Sequence, residues 1–312
     1  MRLGADRVRV VVPATSANLG PGFDSLGMAL NYHDELVVEA LGSDRVEVAV
    51  HGQGAGQVPT DGTHLVARAI HRALEHVGAP LVGLRLTCDN HIPHGRGMGS
   101  SAAAVVAGLF AARGLIAEPE ALDDHTILQL ATEFEGHPDN AAPAIYGGAT
   151  VAWMEESLPH AARLALHPDV TPTVIVPTVS LSTNRARGVL PPAVKHASAA
   201  FNAGRTALLV HALAQAPDLL FAATEDKLHQ DFRSEVMPDS YALMKQLRST
   251  GLAATISGAG PTVLVLDRAT HGDRVRNAVT DLLGQNALEG VNPAWQVWQT
   301  GVDTEGAVVT AM

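Results

Sequence analysis

From residue 93 to residue 104 the chain runs Pro93-His94-Gly95-Arg96-Gly97-Met98-Gly99-Ser100-Ser101-Ala102-Ala103-Ala104, and no other stretch constrains it as strongly. Three alternating glycines remove side chains, so that backbone N–H groups can approach a ligand closely. Two hydroxyls then open a run, Ala102–Arg113, that is apolar all round and predicts a buried helix. A glycine loop feeding a helix N-terminus gathers unpaired N–H groups and the positive end of the helix dipole, which makes it a site for phosphate. It is not a Walker loop, because no Lys precedes the serines, and the spacing does not fit a dinucleotide fingerprint. One Ser would serve as helix cap. The second hydroxyl, one residue inside the helix, suits a magnesium or phosphate ligand.

Composition narrows the partners. A formal net charge of −11 argues against nucleic acid and against an anionic membrane surface. No run reaches the roughly 18 apolar residues of a membrane span. Residues 1–7 lack the apolar core of a secretory signal. The single Cys88 excludes an internal disulfide framework, suits a reducing, cytoplasmic setting, and is expected to pack in a strand. The fifteen histidines are scattered, without the patterning of a zinc site.

At 312 residues the chain makes one large domain or two of ordinary size. Val8, Val10 and Val12 alternate as a half-buried strand, and Glu35–Leu41, Val46–His51 and Leu81–Cys88 are further strand candidates. Helical periodicity covers Leu65–Val77. Pro119 fits the first turn of a helix running through Phe134. After Gly147-Gly148 a strand spans Ala149–Met154. The proline-bearing stretch Glu155–Pro159 marks a boundary between units 1–155 and 156–312. The second unit reads as strand Thr173–Val176, a long helical region from Pro192 to Leu228, helix Ser240–Ser249, strands Ala253–Ile256 and Thr262–Leu266, helix Asp273–Leu283 and terminal strands. Both units are α+β.

Four other segments carry candidate chemistry. Pro13-Ala14-Thr15-Ser16-Ala17-Asn18-Leu19-Gly20-Pro21-Gly22-Phe23-Asp24 is either a turn whose Asn18 and Asp24 bond their own backbone, or a loop offering a carboxylate and an amide to an ammonium group. In Glu133-Phe134-Glu135-Gly136-His137-Pro138-Asp139-Asn140, the Glu133 carboxylate is of the type magnesium needs beside nucleotide phosphates. Asp139 could accept a hydroxyl proton or orient the nucleophile. The bland reading is a helix end punctuated by Gly136 and Pro138. Ser257-Gly258-Ala259-Gly260-Pro261-Thr262 is a second glycine turn between strands. Arg187 and Arg233 belong to two arginine segments, and Arg is the residue best suited to holding a carboxylate bidentately.

Taken together these segments resemble the GHMP kinase superfamily. Pro13–Asp24, Pro93–Ala103 and Ser257–Thr262 match its three motifs in order, with Met98 in place of a usual leucine, an isosteric exchange. Pro13–Asp24, Glu135–Pro143 and Ser182–Pro191 resemble the branch that acts on L-homoserine, and the similarity runs from Val10 to about Ala307.

The resemblance implies an N-terminal ribosomal-S5-like α+β domain with a left-handed β-α-β crossover, a ferredoxin-like C-terminal domain, and an active site between them. It implies ATP-dependent phosphorylation of the side-chain hydroxyl of L-homoserine, with Mg2+, often in a homodimer. By the same resemblance Pro93, His94, Gly95, Arg96, Gly97, Met98, Gly99, Ser100, Ser101, Ala102 and Ala103 form the ATP loop, and Ser101 and Glu133 hold magnesium. Asn18 and Asp24 take the substrate ammonium, and Arg187 and Arg233 its carboxylate. His137, Asn140 and Thr183 lie near the reacting hydroxyl. Asp139, Asn140 and Arg233 form the catalytic set, in which Asp139 is either the base, as in mevalonate-type members, or a neighbour of a direct transfer that uses no base, the reading favoured for the homoserine branch. A superfamily member acting on a mevalonate-type alcohol would have no use for Asp24 opposite paired arginines.

Overall fold

The valine alternation at the N-terminus becomes β1 (Arg7–Ala17), whose Val8, Val10 and Val12 are fully buried, in a computed structural model that describes all 312 residues. Antiparallel β2 (Leu26–Leu41) pairs Val8 with Val38 and Val10 with Leu36. The register shifts between Pro13 and Ala14, where the missing N–H of proline breaks the ladder. β3 (Val46–Gly52) runs parallel to β4 (Gly83–Asn90), the crossover being α1 (Leu65–His76). The hairpin of β5 (Ala149–Glu155) and β6 (Leu158–Leu164) attaches to the start of β2. A strand from the end of the chain, numbered below as β11, pairs with β1 on its other side.

Helices cover this sheet. α2 (Ser100–Leu115) is buried on all sides, as its composition requires, with Val105, Leu109, Phe110 and Ala112 in the core. Gly108 lets α2 approach the backbone of α1 at Val66. The helix expected from Pro119 through Phe134 is interrupted. A 3-10 turn (Pro119–Leu122) ends at Asp123, whose carboxylate accepts from Thr126 N at 2.7 Å and so starts a new helix, α3 (Asp124–Glu135). α4 (Ala141–Tyr146) follows.

The second sheet comprises β7 (Val170–Pro177), β8 (Ala253–Ile256), β9 (Val263–Arg268) and β10 (Trp295–Gln299), antiparallel in the order β10-β7-β9-β8. Between β7 and β8 lie α5 (Thr183–Gly188), α6 (His196–Ala214), α7 (Leu220–Ala223), α8 (Gln230–Arg233) and α9 (Pro238–Ser249), and α10 (Arg274–Leu283) precedes β10. That is the β-α-β-β-α-β order of a ferredoxin-like unit. The single helical region expected over 192–228 is instead α6, a 3-10 turn at Pro217–Leu219, α7 and a loop, because Pro217 cannot continue a helix.

The boundary expected at 155/156 needs correction. It falls in the turn of the β5–β6 hairpin, at Glu156 and Ser157, and the last strand, β11 (Val308–Ala311), returns to the first sheet. The pairing of β6 with β5 outweighs the proline signal at Pro159, a position that a two-stranded edge tolerates. No helix is long and apolar enough to cross a membrane.

Candidate active site

Three loops meet around a cavity of about 540 Å³: those after β1, before α2, and between β8 and β9. Gly95, Gly97 and Gly99 adopt φ of 64°, 73° and 68°, a region that glycine enters without strain. A Cβ on Gly97 would collide with the carbonyl oxygen of Ser257, and one on Gly99 with the hydroxyl of Thr15. The loop is braced from both sides. Ser257 Oγ donates to Gly97 O at 2.5 Å, Thr15 N to Met98 O at 3.1 Å, and Thr262 N to Arg96 O at 3.2 Å. α2 starts at Ser100 with no capping side chain and no acidic residue in its first turn. Its first N–H groups are therefore left for a ligand. Ser100, Ser101 and Ala102 line the cavity beside the three glycines.

Not every residue of the expected ATP loop faces a ligand. Pro93, Arg96, Met98 and Ala103 line no major cavity, and Met98 and Ala103 are fully buried in the core. The Arg96 guanidinium is spent on backbone, donating to Pro177 O at 3.0 Å, His94 O at 2.8 Å and Thr178 O at 2.6 Å. It ties the loop to β7 and is not directed at phosphate.

Glu133, expected to hold magnesium, faces away from the loop. Its carboxylate takes both Arg72 Nε and NH2, at 2.9 and 3.0 Å, on the exposed side of α3. The carboxylate that faces the loop is Glu135, whose Oε1 accepts from Ser101 Oγ at 2.6 Å. The reason is helical phase. Leu128 and Ala131 point into the protein, and Glu135 lies on the same stripe, seven and four residues on, whereas Glu133 points outward. That spacing was the available signal. Burial pushes the Glu135 carboxyl above the ordinary range despite the Ser101 hydrogen bond.

Beyond Glu135 the polar groups converge. His137 Nδ1 lies 2.8 Å from Asp139 Oδ1, and this bond to the carboxylate raises the His137 pKa. Asn140 Nδ2 donates to the same oxygen at 3.4 Å, while Asn140 Oδ1 accepts from Thr15 Oγ1 at 2.9 Å. Asp139 is 2% exposed, and its Oδ2 makes no hydrogen bond within the protein. Asn18 lines the cavity too, with φ of 69°. Its Nδ2 donates to Gly258 O at 2.8 Å and its Oδ1 accepts from Asp24 N at 3.0 Å. Thr183, in the first turn of α5, and Arg187, four residues on, line the same wall. Asp24 itself does not line the cavity; its carboxylate is held by Arg187, which does.

Arg233 is 1% exposed. It donates to Ala186 O at 3.2 Å, Gly258 O at 3.0 Å and His229 Nδ1 at 3.1 Å. Burial, and next the charge of Arg187, bring its pKa down to about 10, which leaves it charged at neutral pH. His229, which the sequence reading missed, is wholly buried. It donates Nε2–H to Gly20 O at 2.7 Å, and burial lowers its pKa, so the neutral ring presents Nδ1 to the arginine.

A second cavity of about 320 Å³ adjoins the first and shares Ser100 and Ser101 with it. Its walls include Val12, Val58, Val66 and Ala104, with His64, Cys88 and His94. Burial lowers the pKa of both histidines and pushes the Cys88 thiol up to about 12. No motif in the sequence announces this space, because its walls come from β1, β2, β4, α1, α2 and the loops before the two helices.

Comparison with known proteins is unambiguous. Residues 64–148 match the GHMP kinases N terminal domain, and residues 200–285 the GHMP kinases C terminal domain. A homoserine kinase of Leifsonia xyli subsp. xyli is 50% identical over 307 residues, covering 98% of this chain and 93% of the relative. One from Mycolicibacterium smegmatis is 53% identical over 265 residues, 82% of this chain and 83% of that one. The crystal structure of homoserine kinase from Cytophaga hutchinsonii superposes with a TM-score of 0.83 at 27% identity, covering 98% of both chains. The cavity, its glycine loop and this degree of identity lead to one assignment: the chain belongs to the homoserine kinase family of the GHMP kinases.

Proposed function

We propose that the larger cavity is where this chain carries out its family's reaction, the ATP-dependent phosphorylation of the side-chain hydroxyl of L-homoserine on the way to threonine. One observation carries the assignment. A glycine loop running into an acid-free helix N-terminus shares a single cavity with Asp139, Arg187 and Arg233. The N–H groups of Gly95–Ala102 and the Ser100 hydroxyl hold the phosphates. The nucleobase lodges in the adjoining apolar cavity, which opens on the same two serines.

The donor set fits Mg2+. Ser101 Oγ and Glu135 Oε1 are hard oxygens 2.6 Å apart, and burial disfavours the Glu135 charge in a way that a cation relieves. When bound, Mg2+ neutralises charge on the phosphates.

The chain's own groups position the acceptor. Arg187 and Arg233 take the amino-acid carboxylate, and Asp24 with Asn18 takes the ammonium. Thr183, His137 and Asn140 surround the side-chain hydroxyl. Asp139 Oδ1 is engaged by His137 and Asn140, so Oδ2 is the oxygen left to accept the hydroxyl proton. His229 is a positioning residue that sets the Arg233 guanidinium. We place the reaction in a reducing cytosol, in which the inert Cys88 thiol needs no partner.

A coupled assay of ADP release with L-homoserine, mevalonate and galactose tests this reading. Turnover is expected with L-homoserine alone. ATP binding without turnover of L-homoserine would reject the assignment.

A further inference from the structure

Two opposite charges of the candidate acceptor site already satisfy each other. Arg187 donates from NH2 to Asp24 Oδ1 at 2.6 Å and from NH1 to Asp24 Oδ2 at 3.1 Å, a bidentate pair joining the loop after β1 to α5. The side chains are 33% and 36% exposed, so each charge is partly desolvated. The loop is shaped to hold the carboxylate there. Asp24 sits at φ 55° and donates its N–H to Asn18, itself at φ 69°, two left-handed conformations that non-glycine residues rarely adopt. The ring of Phe23 lies 5.6 Å from the Arg187 guanidinium and 5.5 Å from that of Arg233, so both cations pack against one aromatic ring. Arg233 has no carboxylate within ion-pair distance; its donors go to two carbonyls and His229.

We propose that the Asp24–Arg187 pair is a specificity lock, which opens only for a ligand carrying an ammonium and a carboxylate on one carbon. The proposal rests on the reading above that an amino acid binds here, and it adds how the site rejects everything else. A zwitterion inserted between the two residues replaces one ion pair by two, and no charge is left alone. A ligand with a single charge that engages Asp24 or Arg187 must open the same pair, yet it satisfies only one partner and strands the other. Opening a partly buried pair for only one partner carries a penalty, because the survivor has lost its counter-charge and regains only part of its water. For a carboxylate-only ligand Asp24 is moreover a like charge beside the binding arginine, and discrimination of this kind comes from the repulsive element. Selection for the α-amino acid is therefore built into the empty site before any contact with the side chain is made.

The lock makes a prediction that simple additive contacts do not. Isothermal titration of the full chain compares L-homoserine with 4-hydroxybutyrate, which lacks the ammonium, and 3-aminopropan-1-ol, which lacks the carboxylate. The wild type is expected to bind both single-charge compounds on the order of 100-fold more weakly than L-homoserine. Asp24→Asn frees Arg187. It should weaken L-homoserine and at the same time tighten 4-hydroxybutyrate by about tenfold. Arg187→Gln is the mirror case and should tighten 3-aminopropan-1-ol. ATP binding by each variant verifies that it is folded. If L-homoserine binds the wild type but neither variant gains affinity for its matching single-charge compound, the lock is overturned while the substrate reading stands. If the wild type binds no L-homoserine, the substrate reading fails and the lock falls with it.

Discussion

Glu133 and Glu135 stand two positions apart on the last turn of α3, and helix geometry gives them opposite faces. Two residues on a helix differ by about 200° in direction, so one carboxylate meets Arg72 outside and the other Ser101 at the cavity. Chemistry of residue type alone does not separate them; the phase set by Leu128 and Ala131 does. Glu135→Gln is expected to lower kcat by about 10²-fold or more at saturating Mg2+, since it removes the one carboxylate facing the loop. Glu133→Gln should change it less than about twofold, because its pair with Arg72 is exposed. Steady-state kinetics of the two variants decides, and equal losses would return the metal role to Glu133. Asp139→Asn extends the same logic. With Oδ2 as proton acceptor, kcat should fall by about 10²–10⁴, and a drop of only a few-fold in a folded variant would reduce Asp139 to orienting His137.

At the level of elements, α2 joins sequence to site. Its apolar run made burial legible, and the glycines before it made the anion site legible, because both signals are local. The adjoining cavity was not legible, since residues from several elements wall it. The same contrast explains the helix breaks. Pro119 marks a turn, but it is the cap at Asp123 that restarts the helix, and Pro217 ends a helical region that composition alone would extend. Ala104 lies one turn into α2 and lines the apolar cavity. Ala104→Met would fill that space and, with the base placed there as proposed, is expected to raise the KM for ATP about tenfold or more, with the KM for L-homoserine unchanged. The two KM values, measured with the other substrate saturating, test the placement. A rise confined to L-homoserine would put the base elsewhere.

Across the whole molecule, the chain is bound together by its ends. One core of 55 buried residues takes Val8 and Val10 from the first sheet with Val174, Leu264 and Leu266 from the second. The sequence concealed this because a return strand pairs at a distance no local pattern records. The return is anchored at Asp303, just before β11. Its carboxylate lies 2.8 Å from His33 Nε2 and accepts from the N–H of Gly306 at 2.7 Å and of Glu305 at 3.0 Å. Burial pushes its pKa up, but these three donors outweigh burial and hold it below the ordinary carboxyl value. A depressed carboxyl stabilises the fold at pH above its unfolded value, near 3.9, and the contribution is lost as pH falls through the folded value. Asp303→Asn should therefore cost about 1–3 kcal/mol at pH 7, and the difference from wild type should close as the medium is acidified through the depressed carboxyl value. Because the core is shared, the loss should shift one cooperative unfolding transition and not split it in two. Urea titrations at pH 7 and in acid, followed by far-UV circular dichroism and by tryptophan fluorescence, check this. A variant that loses only a separate early transition would show that the C-terminal strand is a detachable appendage and that the two sheets fold independently.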